Sequence, residues 1–87
     1  MPSMQELRLE YASNLLRLRE GSLRDIWYKA NLFASTPFTY QRLCRISQNY
    51  GRLNDDGLRA ICLACGQKDY EERFAEFVKE RIELSYN

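Results

Sequence analysis

Eighty-seven residues are too few for two independent cores, and 45% hydrophobic with 29% charged side chains is a balance that collapses in water, so one folded domain over residues 1–87 is predicted and wholesale disorder is excluded. The formal net charge is only +1, yet residues 1–53 carry eight basic and four acidic side chains and residues 54–87 carry five and eight, giving halves of +4 and −3. The longest apolar run, Ala60 to Cys65, is far shorter than the roughly 20 residues of a membrane span.

The first helix is predicted over about Met4 to Glu20, with Leu7, Tyr11, Leu15 and Leu18 on one stripe, Ala12 and Leu16 beside it, and Gly21 at the C′ position where left-handed backbone angles are needed. Ser22 and Asp25 open the second as an S-x-x-D capping box. Leu23, Ile26, Trp27, Ala30, Phe33 and Ala34 then give it a wide apolar stripe, which predicts the centre of the core around Trp27. Thr36 is the expected cap of the third helix, with Pro37 at its first position and an inner stripe of Leu43, Ile46 and Tyr50 running to a break at Gly51.

Asn54 caps the fourth helix, whose first turn holds Asp55 and Asp56, the favoured sign at the positive end of the helix dipole. Leu58, Ile61, Cys62 and Cys65 form its stripe, Gly66 ends it, and with Ala60, Leu63 and Ala64 between them little polar surface is left. A D-x-x-E box at Asp69 and Glu72 opens the last helix, with Tyr70, Phe74, Phe77, Val78 and Ile82 facing in and a run of glutamates facing out. No stretch shows sustained polar and apolar alternation with β-branched enrichment. The expected fold class is therefore all-α, a compact bundle of four to five short helices in a single domain.

Catalysis has little to draw on. The chain has no histidine, which removes Ser-His and Cys-His arrangements, and its adjacent carboxylates, Asp55/Asp56 and Glu71/Glu72, point about 100° apart on a helix. Its four glycines stand as single punctuation marks, with no phosphate-binding loop. Cys62 and Cys65 form a C-x-x-C with Cys44 as a third thiol, but three cysteines without histidine are one ligand short of a zinc site, and a C-x-x-C near a helix C-terminus lacks the dipole that stabilises a thiolate. Packing is the reading preferred for all three. The expectation is a non-enzymatic chain without cofactor or metal. An odd cysteine count, and an N-terminus without an apolar leader, suit a reducing, cytoplasmic setting.

One window stands apart. No acidic residue occurs from Ile26 to Asn54, a stretch holding Lys29, Arg42, Arg45 and Arg52 among six aromatic residues. Helices predicted over 22–34 and 36–50 with so short a turn resemble a helix-turn-helix pair, with Ala30 at the small position of the supporting helix and Tyr40 and Leu43 inward on the reading helix. Ser35 stands where that motif buries an apolar residue, and Phe38 where it exposes a polar one. On this pattern Lys29, Thr36, Gln41, Arg42, Arg45, Gln48, Asn49 and Arg52 are the candidate nucleic-acid-binding residues, Arg and Gln as base readers and Thr36, Lys29 and Arg52 as phosphate contacts.

The alternative is a protein-protein interaction module, an adaptor or inhibitor docking a helical face on a larger partner. Ten arginines against three lysines, and six tyrosines, suit such an interface as well. The acidic last helix with Tyr70 and Tyr86 is its candidate surface. A core this small also makes a homodimer one expectation.

Overall fold

The computed structural model describes residues 2–86. Four of its helices start where a side-chain oxygen takes the amide three residues on, satisfying one of the four amides a helix start leaves free. Ser3 Oγ accepts from Glu6 N at 3.1 Å to open α1 (Met4–Arg17), and Ser22 Oγ from Asp25 N at 3.1 Å to open α2 (Leu23–Phe33). Thr39 Oγ1 accepts from Arg42 N at 3.1 Å to open α3 (Tyr40–Ser47), and Asn54 Oδ1 from Gly57 N at 2.8 Å to open α4 (Asp55–Ala64). The last helix, α5, spans Tyr70–Tyr86; the Tyr86 side chain lies outside the described residues. Among the described residues there is no strand, and the helices form one compact all-α body.

The core lies between α1, α2, α3 and α4. Leu9, Ala12 and Leu16 meet Ile26 and Ala30, Leu43 and Ile46, and the buried face of α4 from Leu58 to Ala64. α4 is the most deeply set, with Ala60, Ile61 and Cys62 fully buried, as its continuous apolar run predicts. Each Leu or Ile enclosed in this way is worth roughly 1.5–3 kcal/mol. Both α3 and α4 end in a Schellman turn. Tyr50 N donates to Arg45 O and Asn49 N to Ile46 O, each at 2.9 Å, and Gln67 N and Gly66 N do the same to Cys62 O and Leu63 O at 2.9 and 3.0 Å. The left-handed C′ residue of the second turn is Gly66, and of the first Asn49, at φ 60, the non-glycine type that best tolerates that region.

The predicted boundaries change in two places. α1 stops at Arg17, so Gly21, at φ +84, belongs to the following loop and not to a helix cap. Its buried face is also rotated. Leu18 is 81% exposed, whereas Leu9 and Ser13 are buried, because α1 is covered by α3 and α4 together and Ser13 Oγ donates to Ser47 O at 3.1 Å. The second change is larger. α3 begins at Tyr40 under a Thr39 cap, leaving Thr36 and Pro37 in a six-residue connection, 34–39, and it ends at Ser47, which turns Tyr50 out to solvent.

Phe38 explains the shift. Its ring is buried, and its backbone is held by α2: Phe38 N donates to Asn31 Oδ1 at 2.8 Å, while Phe38 O accepts from Trp27 Nε1 at 2.7 Å and Asn31 Nδ2 at 3.3 Å. From α4, Asp56 accepts from Ser35 N at 2.8 Å and Ser35 Oγ at 3.0 Å, and Arg59 donates to Phe33 O at 3.2 Å. The connection is thus fastened to both neighbouring helices. Trp27 serves as a half-buried clasp for it and not as the centre of the core, and Phe33 is likewise exposed.

Gly57 also departs from the punctuation role. It lies inside the first turn of α4, and a Cβ there would stand 2.6 Å from Leu53 Cδ1 and 3.3 Å from the Phe38 ring. Its missing side chain is what lets those two groups sit against α4.

Candidate functional site

With α3 shortened to two turns, its outer face is set by helical spacing. Gln41, Arg42, Arg45 and Gln48 are exposed on one side, opposite buried Leu43 and Ile46, and Asn49 and Arg52 are exposed in the segment that follows. Among the described residues, none of Arg42, Arg45 and Arg52 has a carboxylate within ion-pair distance. The arginines of the acid-free window therefore stay outside the ion pairs of the fold, and the carboxylate that reaches the adjoining connection, Asp56, is held by Ser35.

Arg42 is partly engaged by the protein itself. Its guanidinium lies 5.1 Å from the Phe38 ring centre and its Nη2 donates to Arg52 O at 3.2 Å. This contact pins the α3 N-terminus to the strand of chain entering α4. Among the described residues the exposed side chains of Arg45 and Arg52 make no hydrogen bond. Thr36 is exposed in the connection, four residues before the start of the helix it was expected to cap.

Lys29 does not join the group. It lines a cleft with Leu18, Arg19 and Cys65 at the C-terminal ends of α1 and α4, while Trp27 and Asn31 face α3 from the other side of α2. That cleft encloses about 460 Å³, and its two cations could suggest an anion site. Two helix C-termini meet there, however, and their carbonyl ends carry partial negative charge that calls for cations. Arg19 answers this directly by donating to Leu16 O at 2.7 Å.

Arg24 takes the place left by Lys29, and sequence reasoning missed it. Its guanidinium stands 4.3 Å from the centre of the Tyr40 ring and 5.9 Å from that of Trp27, whose own ring lies 4.9 Å from Tyr28. Arg24, Trp27, Tyr28 and Asn31 repeat at i, i+3, i+4 and i+7, so the signal was present as a second stripe on α2. Tyr50 was missed for the opposite reason: it continues the Leu43/Ile46 spacing, but the helix ends before reaching it.

The C-x-x-C pair offers no thiolate near neutral pH. Cys62 is enclosed, and burial pushes its thiol up to about 12. Burial also raises Cys65, only partly offset by the charges of Arg19 and Lys29. Both stay protonated near neutral pH, which is the opposite of what a thiolate nucleophile requires. Among the described residues no three potential metal ligands converge.

The opposite end of the molecule has contrary charge. Glu72, Glu76 and Glu80 follow one another at four-residue spacing beside a groove lined by Tyr11, Leu15 and Phe77, and none has a cation within ion-pair distance among the described residues. Tyr11 closes the end of that groove by hydrogen bonding Gln67 and packing its ring edge-on against Phe74 and Phe77. Among the described residues no helix is long and apolar enough to cross a membrane. Comparison with protein-family models, curated proteins and solved structures gave no match to this chain.

Proposed function

We propose that this chain is a small non-catalytic nucleic-acid-binding protein that engages phosphates and bases through the exposed surface of residues 36–52, joined by Arg24. One observation carries the reading: the basic side chains around α3 are exposed with no carboxylate to answer them, in a chain whose charges nearly cancel. A surface that keeps cations unneutralised spends folding stability on self-repulsion and gains attraction for a polyanion. Gln41, Gln48 and Asn49 add amide groups that pair with base edges, and Arg45 and Arg52 supply the phosphate contacts. The six-residue connection is longer than the turn of a helix-turn-helix, so the reading rests on this surface and not on that motif.

Heparin retention at low salt, and a raised 260/280 nm absorbance ratio in purified protein, test the reading at once. Arg45→Ala with Arg52→Ala should cut affinity by at least tenfold and lower the dependence of log affinity on log salt by roughly 1.4–1.8, because each lost phosphate contact returns about 0.7–0.9. The melting temperature should stay within a few degrees, since neither side chain enters the core. Protein that passes heparin unbound and leaves labelled oligonucleotides free would defeat the proposal.

A second reading, a docking module for another protein, is favoured by the glutamate ladder on α5 and its apolar groove. Like charges at i, i+4 destabilise a helix by roughly 0.2–0.5 kcal/mol per pair, a cost that a basic partner would relieve. A pull-down whose yield falls for Glu72→Gln with Glu76→Gln and Glu80→Gln, and not for the arginine pair, would favour it over the first.

A further inference from the structure

We infer that the nucleic acid taken by this surface is single-stranded, and that the exposed ring of Tyr50 is the platform on which one of its bases stacks, between Arg45 and Arg52; this rests on the nucleic-acid reading above. A reading helix in a major groove contacts bases with its N-terminal residues. Here that turn is committed to the protein, with Tyr40 stacked beneath Arg24 and Arg42 held over Phe38 and against Arg52 O. At eight residues the helix is only about 12 Å long, and its free groups lie at the far end.

Those free groups are Arg45, Gln48, Asn49, Tyr50 and Arg52. The Schellman turn sets their backbone: with Asn49 left-handed, Tyr50 N reaches back to Arg45 O at 2.9 Å, which brings the Tyr50 backbone against the last turn of α3. Gly51, at φ 107, then turns the chain toward Arg52. This turn normally sets an apolar residue against the helix it closes. Tyr50 is instead 67% exposed, an aromatic ring in water with a free guanidinium on either side in sequence and no carboxylate near those guanidiniums. In duplex nucleic acid the base faces are covered by their neighbours, and only an unpaired strand offers one to a ring. Stacking of this kind, flanked by cations that follow the backbone, is how single strands are held without sequence reading.

The experiment is fluorescence anisotropy at low salt with labelled oligothymidylate and oligouridylate of about 20 nucleotides, and a blunt duplex of the same length. Single strands should bind at least roughly tenfold tighter than the duplex, and Tyr50→Ala should weaken single-strand binding roughly 5- to 100-fold while Tyr50→Phe retains it. Tyr50→Leu, which keeps apolar area without a π-face, should behave like Tyr50→Ala. Preference for oligouridylate over oligothymidylate would assign RNA, the reverse DNA, and equal affinity a backbone-tolerant site. A duplex bound as tightly as the single strands, or a Tyr50→Leu variant binding like the parent, overturns the inference and leaves the nucleic-acid reading standing. Silence from all three probes overturns both.

Discussion

Arginine serves two ends of this molecule differently. Around α1 and α5 it is paired internally: Arg8 reaches Asp55 at 3.5 Å and donates to Leu53 O at 2.8 Å, Arg73 holds Asp69 at 2.8 Å, and Arg81 bridges to Glu10. Around α3 the same residue type stands over rings, as Arg24 and Arg42 do, or has a side chain without a protein partner among the described residues, as at Arg45 and Arg52. The first group ties helices together across more than forty residues of sequence in two of its three bridges. The second group is left to the outside. Net charge, averaged over both, conceals this division of labour.

The α3 end suffers most when its scaffold is removed. Leu43→Ala, at a fully buried position, should cost about 2–5 kcal/mol in urea unfolding and abolish nucleic-acid binding along with it. Alkaline pH attacks the other end. Because the folded state holds the Cys62 proton more tightly than the unfolded chain does, its contribution is whole below the ordinary thiol value of 9.0 and is lost between there and about 12. Unfolding free energy followed by circular dichroism should therefore fall above pH 9, with Tyr11, also raised by burial, adding to the decline above 10. Cys62→Ala should flatten the earlier part of that slope.

A carboxylate placed in the acid-free window would make the two ends alike. Gln48→Glu sets one a helical turn from Arg45, and should reduce oligonucleotide affinity roughly threefold to tenfold at low salt, through one neutralised contact, with little change in melting temperature. The smallest effect belongs to Arg81→Ala, which should cost less than about 1 kcal/mol of stability and leave oligonucleotide affinity at the parent value. If Arg81→Ala weakened binding as much as Gln48→Glu, the division between the two ends would not hold.

Local chemistry announced much of this fold. Ser22 and Asn54 cap where their spacing from the first apolar residue requires, and the run from Leu58 to Ala64 is buried because it has no polar face to expose. What stayed hidden depends on contacts distant in sequence. Thr36 followed by Pro37 and Thr39 followed by Arg42 are competing helix starts of similar local merit. The choice falls to Phe38, whose ring needs the space beside Gly57 and whose backbone is gripped by Trp27 and Asn31. No pattern of period 3.6 contains that information. For the site, the exposed basic face was legible from the acid-free window, whereas the departure of Lys29 and the arrival of Arg24 depend on which side of α2 meets α3.

The hydrogen atom at the α-carbon of residue 57 reaches further than its size suggests. Adding one methyl group there would drive apart the Leu53 side chain and the Phe38 ring, and Phe38 is the surface on which the Arg42 guanidinium rests. A crowding event inside the first turn of one helix would thus be transmitted, through a single phenyl ring, to the guanidinium that rests on it. Position 57 is a remote tuning point for that group.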